Sequence, residues 1–169
     1  PPLSYACDDA RDQDGIVIWC HNGRGMEAPV AAALGKVDAF NLFDPHWNEA
    51  EYDIYYQMLN AGIKLPASTG SDWFICSANR VYTYTGAKFQ YESWLDALKE
   101  GRSFITNGPS LALSIDGHGL GETIHVMPDE KLSTLVTWKS YHSINLVEVV
   151  RNGKVIANRS FVEGSTEGC

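Results

Sequence analysis

The feature that most constrains the fold is a change of hydrophobic period near Asn107-Gly108-Pro109. Before this point, short apolar runs alternate with helix-period segments, a pattern typical of βα units and a mainly parallel sheet. After it, only strand-type segments separated by turn residues occur. We therefore expect an α/β unit over residues 1–106. Residues 107–169 are expected to form a small or truncated antiparallel β-sandwich-like unit.

Local patterns place the elements of the first unit. Strands are predicted at residues 16–20, 37–43, 81–85 and 103–106, and helices at 26–34, 49–60 and 91–100. Within the second predicted helix, the apolar side chains fall at i, i+3, i+4 and i+7, which predicts one core-facing stripe of Tyr52, Tyr55, Tyr56 and Leu59. We interpret these tyrosines as packing residues rather than as a ligand site.

The second unit contains candidate strands joined by hairpin turns. Asp116-Gly117 and Asn152-Gly153 have the composition of tight two-residue turns. The candidate strands are residues 111–115, 123–126, 133–138, 145–151 and 154–158. An immunoglobulin-like sandwich usually has about seven strands, so the second unit is expected to be small.

Composition limits the partners of the chain. It carries 13 Lys and Arg against 21 Asp and Glu, a formal charge of -8. With no basic patch to neutralise phosphates, we expect no nucleic-acid and no membrane-surface binding. No apolar run reaches the roughly 20 residues of a membrane helix. A small-molecule substrate, a cation or a protein is the expected partner.

Terminal residues and cysteines give little information on targeting or cross-linking. Pro1 and Pro2 open the chain without a visible secretion signal. The four cysteines have no C-x-x-C spacing, which fits buried or incidental thiols better than a zinc knuckle or a disulfide framework.

Two residues stand where α/β proteins place their sites, at the carboxyl ends of strands. His21 directly follows the predicted strand 16–20, and Asp72 follows an extended stretch through residues 66–69. An imidazole and a carboxylate at one rim can bind Zn²⁺, Mn²⁺ or Fe, which acidify a bound water for hydrolysis. A histidine after a strand also serves as a capping or core residue. Both interpretations remain open here.

The remaining candidates are weaker. Arg80 can hold an anionic substrate group by a bidentate contact or pair with one of the many acids. Glu27 begins a helix, where a carboxylate favours the helix dipole. Surface or structural roles are expected for the other histidines, His46, His118, His125 and His142. No G-x-S-x-G, P-loop or G-x-G-x-x-G motif is present.

Several segments, taken in order, resemble the CehA/McbA-type metallohydrolases of the polymerase and histidinol phosphatase (PHP) superfamily. The likeness covers about residues 15–120 and is carried by residues 17–21, 59–62, 65–72, 79–82 and 101–109. It implies part of a distorted seven-stranded β/α barrel followed by a β-sandwich. It also implies metal ions at the strand carboxyl ends and hydrolysis of phosphate esters, amides or related bonds.

The resemblance assigns some ligands and lacks others. His21 and Asp72 match metal ligands of the family, whereas Phe74 occupies the histidine position of the late Asp-x-His motif. The family's His-x-His pair, its glutamate and a further histidine have no counterpart. A catalytic zinc site needs about three protein ligands. The resemblance thus implies the C-terminal portion of such a protein, with a divalent metal (Zn, Mn or Fe) weakly bound or absent and little activity alone.

Two functions follow from these observations. The first is a metal-dependent hydrolase with His21 and Asp72 as metal ligands and Arg80 as substrate anchor. The alternative is a non-catalytic ligand- or protein-binding module. We also expect a homo-oligomer, because the strand at 16–20 would keep an open edge that recruits another chain. The competing expectation is that residues 3–13 fold back as a helix and shield that edge.

Overall fold

The computed structural model describes residues 2–21, 27–42, 50–71 and 78–169. These residues form four helices, α1 Leu3–Arg11, α2 Ala28–Ala33, α3 Ala50–Asn60 and α4 Tyr91–Lys99. They also form eight strands, β1 Ile18–Trp19, β2 Ala39–Asn41, β3 Ala67–Ser68, β4 Arg80–Thr83, β5 Ser103–Thr106, β6 Ser110–Ile115, β7 Thr134–Arg151 and β8 Lys154–Gly168. Within these ranges, no helix is both long and apolar enough to cross a bilayer.

The first sheet is parallel, with the order β1-β2-β3. Parallel neighbours need crossover connections, and α2 and α3 lie in those connections. Phe40 on the central strand pairs with Trp19 on one side and Ala67 on the other, and it is fully buried. Its ring meets Trp19 edge-on at 5.0 Å and Tyr55 of α3 at 5.3 Å. The core of the first unit is centred on this ring.

The core-facing stripe of α3 begins one residue before the predicted stripe. Glu51 and Met58 are buried. Ile54 and Tyr55, which lie between them on the same helix face, are half-buried and pack against the core. These positions have the i, i+3, i+4, i+7 spacing of one helix face. Tyr52 also packs against the core, as the sequence pattern predicts. Glu51, the acidic residue at the start of the observed stripe, is not part of the predicted stripe.

The other two sheets are antiparallel. Strands β4 and β5 form one sheet, and Ile105 of β5 packs against the core of the first unit. Strands β6, β7 and β8 form the other. Asn152 and Gly153, with φ of 53° and 73°, make the turn between β7 and β8. Two positive φ values in a row match the hairpin turn predicted from the Asn-Gly pair.

The predicted partial β/α barrel and β-sandwich are both wrong for the described residues, which form a mixed, strand-rich structure of three small sheets with no closed barrel. The parallel ladder stops after β3, because β4 pairs antiparallel with β5 instead of extending it. In the second unit, the predicted strands 133–138 and 145–151 are one long strand, β7, whose pairing continues through register shifts. Residues 123–126 form no strand. The second unit therefore contains a single three-stranded sheet among its described residues, whereas a sandwich consists of two packed sheets.

Three contacts connect the third sheet and its neighbouring loops to the first unit. Lys64 Nζ donates to Gly121 O at 3.0 Å. Gly121 itself, at φ 81°, lies so close to Glu100 O that a side chain there would collide with it. At the β7–β8 turn, a Cβ placed on Gly153 would lie 3.5 Å from Tyr56 Cβ on α3. The hairpin tip therefore rests on α3.

Candidate functional site at the carboxyl edge of the parallel sheet

The carboxyl ends of the three parallel strands share one edge of the first sheet, and each strand leads there into a polar segment. His21 follows β1 with φ of 53°, a left-handed conformation uncommon for a residue with a side chain, and it is exposed. Ser71 ends the described segment after β3. Asp72, Phe74 and His46 lie outside the described residues. The convergence of His21 and Asp72 therefore stays a prediction.

Strand order limits how these residues can share a ligand. Trp19 pairs with Phe40, and Phe40 pairs with Ala67, so β2 separates β1 from β3. Neighbouring strands lie roughly 4.8 Å apart, which places the backbones of the two outer strands about 10 Å apart. Groups from β1 and β3 can meet only above the end of β2. The end of β2 at Asn41, with the Leu42 that follows it, therefore belongs to the same candidate site.

Glu51 is the charged residue that the described part of the chain buries, at 1% exposure. It lies in the first turn of α3, and it starts the helix stripe that packs on the sheet. The helix follows β2 in the chain, and because a crossover helix starts near the carboxyl ends of the strands, we expect its first turn at the edge where His21 follows β1. Burying a carboxylate is costly unless a cation, a proton or hydrogen bonds compensate it, so a buried glutamate in this position is a candidate for ion or proton chemistry.

The pKa of the neighbouring Tyr52 is shifted by its surroundings, which include Glu51. Burial raises the pKa of Tyr52, and the neighbouring Tyr56 and Glu51 charges add to the rise. The sequence did contain a signal for Glu51, because Ile54, Tyr55 and Met58 follow it at the spacing of one helix face. That signal is ambiguous, since an acid in a first helical turn usually reflects the helix dipole.

Arg80 begins β4 and is exposed, opposite Thr106 in the antiparallel pair. Its Nη1 donates to the carbonyl of Asn79 at 2.7 Å. The Asn79 side chain in turn donates from Nδ2 to Gly70 O at 3.4 Å. This contact ties the start of β4 to the segment that leaves β3, so Arg80 lies beside the chain that leads to Asp72.

The weaker candidates have structural contacts. Glu27 Oε2 accepts a hydrogen bond from Leu3 N at 2.6 Å, which connects the start of α2 to α1. His118 Nδ1 lies 2.7 Å from Glu122 Oε2, and this hydrogen bond, followed by that from Gly119 N, lowers the pKa of Glu122. His125 and His142 are exposed. Cys7, Cys20 and Cys169 are free thiols.

Metal-ligating side chains do not assemble into a group of three or more within residues 2–21, 27–42, 50–71 and 78–169. No family model, no curated protein and no solved structure matches this chain. The resemblance to the CehA/McbA-type metallohydrolases therefore rests on the sequence segments that carry it.

Proposed function

We propose that the chain is a divalent-metal-dependent hydrolase whose site lies at the carboxyl edge of the parallel sheet. The observation that carries the proposal is the burial of Glu51 in the first turn of the helix that follows β2, together with the position of His21 directly after β1. With Asp72, these residues would supply one imidazole and two carboxylates, a donor set that suits Zn²⁺, Mn²⁺ or Fe. This site requires only three neighbouring parallel strands, and it does not require that the sheet close into a barrel.

Each side chain has a separate task in this proposal. A bound metal would act as a Lewis acid and make a water acidic enough to attack an ester or amide. Glu51 would bring a carboxylate into the protein interior, where attraction to a cation is screened least. His21 offers a nitrogen at the exposed rim. Arg80, held beside Gly70 through Asn79, would bind an anionic group of a phosphate ester substrate.

Calorimetric titration with Zn²⁺ and with Mn²⁺ tests the site. We expect His21→Ala, Glu51→Gln and Asp72→Asn each to weaken metal binding by at least about 10-fold. His142→Ala, at an exposed histidine of β7, is the matched control and should leave binding unchanged. A circular dichroism melt of each variant separates lost binding from lost folding. Hydrolysis of bis-p-nitrophenyl phosphate and p-nitroacetanilide by the metal-loaded protein then tests activity.

Equal metal affinity in the wild type and in all three ligand variants would overturn the metal site. Metal binding without hydrolysis of either substrate would favour the alternative, a non-catalytic binding module. One structural observation supports that alternative independently. A groove of about 850 Å³ lies between the β4–β5 sheet and β6, and its lining does not include His21, Glu51 or Arg80.

A further inference from the structure

The groove between the β4–β5 sheet and β6 has the size of a small-molecule site. Its volume of about 850 Å³ falls within the range of ligand pockets, roughly 300–1,000 Å³. Aromatic side chains from β4 and β5 line one side, and aliphatic side chains from β6 line the other. The lining includes Tyr82, Tyr84, Arg102, Phe104 and Glu122.

The aromatic side of the groove is a sheet face that the core does not use. Side chains alternate between the two faces of a strand, and Tyr82 lies opposite Phe104. Tyr84 continues the ladder by donating its N–H to Arg102 O at 2.8 Å. Ile105 points the other way and packs on the core. Tyr82 and Tyr84 nevertheless remain 53% and 71% exposed.

The spacing of the two tyrosines suits one flat ring. Residues i and i+2 of a strand are roughly 6.6–6.8 Å apart, which leaves room for an aromatic ring to stack against both neighbours. Phe104 supports this arrangement, because its ring stacks on Tyr82 at 5.3 Å with an angle of 15° between the planes. Tyr82 is therefore held in one orientation before a ligand arrives.

Polar groups of the groove favour a neutral ligand. Arg102 Nε donates to Glu100 Oε2 at 2.6 Å, and Nη1 donates to Tyr84 O at 3.3 Å. A guanidinium has five N–H donors, so these contacts fix the group and leave donors for an acceptor atom. Glu122 accepts from His118 and Gly119 within its own turn. The Arg102 charge is already paired with Glu100, and Glu122 already accepts hydrogen bonds within its own turn, so neither group presents an unpaired charge that would select a charged ligand.

We propose that this groove binds a neutral, planar aromatic molecule that carries a carbonyl oxygen. The ring stacks between Tyr82 and Tyr84, and the carbonyl accepts a hydrogen bond from Arg102. The site is separate from the proposed metal site, so either proposal can fail alone.

Coumarin is a suitable probe because it is planar and neutral and has one lactone carbonyl. Octahydrocoumarin keeps the lactone but has a puckered ring, and coumarin-3-carboxylate adds a negative charge. Binding is measured by saturation-transfer NMR and calorimetry on the full chain. We expect coumarin to bind at least about 5-fold more tightly than octahydrocoumarin, and the carboxylate to bind no more tightly than coumarin.

Variants of the groove locate the binding. Tyr82→Ala should weaken coumarin binding by about 5-fold or more, whereas Tyr82→Phe should retain it, since the stacking ring remains. Arg102→Gln should weaken coumarin and octahydrocoumarin alike. Tyr141→Ala is the control, because Tyr141 is 92% exposed on β7 and outside the groove.

Three results would overturn the proposal. Equal affinity for coumarin and octahydrocoumarin would show that planarity is not recognised. Tighter binding of the carboxylate would show that the groove selects charge. Full binding by a folded Tyr82→Ala variant, or an equal loss in Tyr141→Ala, would place the ligand elsewhere.

Discussion

Tyr55 is a half-buried phenol whose ionisation opposes folding. It packs between Phe40 at 5.3 Å and Tyr56 at 5.9 Å. Burial, with a smaller contribution from Tyr56, raises the pKa of Tyr55 to about 12. The unfolded chain would titrate near pH 10. Because the folded pKa is the higher one, the stabilisation is fully present below about pH 10 and is lost as the pH rises toward 12.

Tyr55→Phe should remove this alkaline loss of stability. Urea unfolding at steps between pH 8 and pH 11.5 measures it. Relative to Tyr55→Phe, the wild type should lose on the order of 2 kcal/mol of unfolding free energy on approaching pH 12. Tyr141→Phe, at an exposed position, should follow the wild-type profile. Parallel profiles for wild type and Tyr55→Phe would contradict the assignment.

At the candidate site, local sequence identified some residues and not others. His21 could be placed because an apolar run ends directly before it, and the structure does put it after β1. Glu51 could not be placed, because its burial depends on how α3 is rotated against the sheet. That rotation is set by packing around Phe40 and Leu65, which are far from Glu51 in the chain.

Among the elements, α1 depends on one carboxylate that joins three segments. Asp38 forms an ion pair with Arg11 of α1 and accepts a hydrogen bond from Val17 N at 2.8 Å. Its side chain is 9% exposed. A second ion pair, Lys36 to Asp8 at 2.5 Å, lies beside it, and Cys7 is buried in the core. Asp38 directly precedes β2, so its contacts connect α1 and the start of β1 to β2.

Asp38→Ala should lower the free energy of unfolding by about 1–2 kcal/mol, because it leaves Val17 N without its acceptor and removes a partly exposed ion pair with Arg11. Asp38→Asn should cost less, since an amide oxygen can still accept from Val17 N. Asp9→Ala, at an exposed position of α1, is the control and should change stability little. Urea denaturation measures all three. Equal stability of Asp38→Ala and Asp9→Ala would exclude this role.

Elements were predicted well where the local pattern decides and poorly where neighbours decide. The strand at 103–106 and the helix near 91–100 form where expected. Within the described residues, the predicted strands 16–20 and 37–43 shorten to β1 and β2, because ladder length depends on the partner strand. Sequence showed a break near residues 139–144, but the structure keeps pairing across it with shifted register. A bulge absorbs such irregularity without ending a strand.

At the scale of the whole molecule, we expect self-association through strand edges. β1 and β8 are the outer strands of their sheets among the described residues. β8 is 15 residues long and carries exposed apolar side chains, with Val162 at 101% and Ile156 at 53%. Long exposed edges recruit strands from other chains, and a symmetric dimer is the commonest outcome. The helix expected at residues 3–13 does form as α1, and it packs against α2.

Sedimentation velocity at about 10 µM should therefore show a species of twice the 18.7 kDa chain mass. Val162→Lys should shift the population toward monomer, because an added charge disfavours strand pairing. Val126→Lys is the matched control, since Val126 is exposed outside the strands. A cooperative monomer at every concentration would rule out edge-mediated assembly.

The hairpin tip that rests on α3 bears on the order of events during synthesis. Gly153 and Tyr56 are far apart in the chain, so their contact cannot form until residue 153 has left the ribosome. Contacts of such long sequence separation form late and slowly. Until then, the part of the α3 surface that the hairpin tip covers is exposed to solvent, and a nascent chain with exposed core-forming surface is prone to aggregate. Chaperone binding to this surface of α3 should therefore decrease once the Asn152-Gly153 turn has emerged.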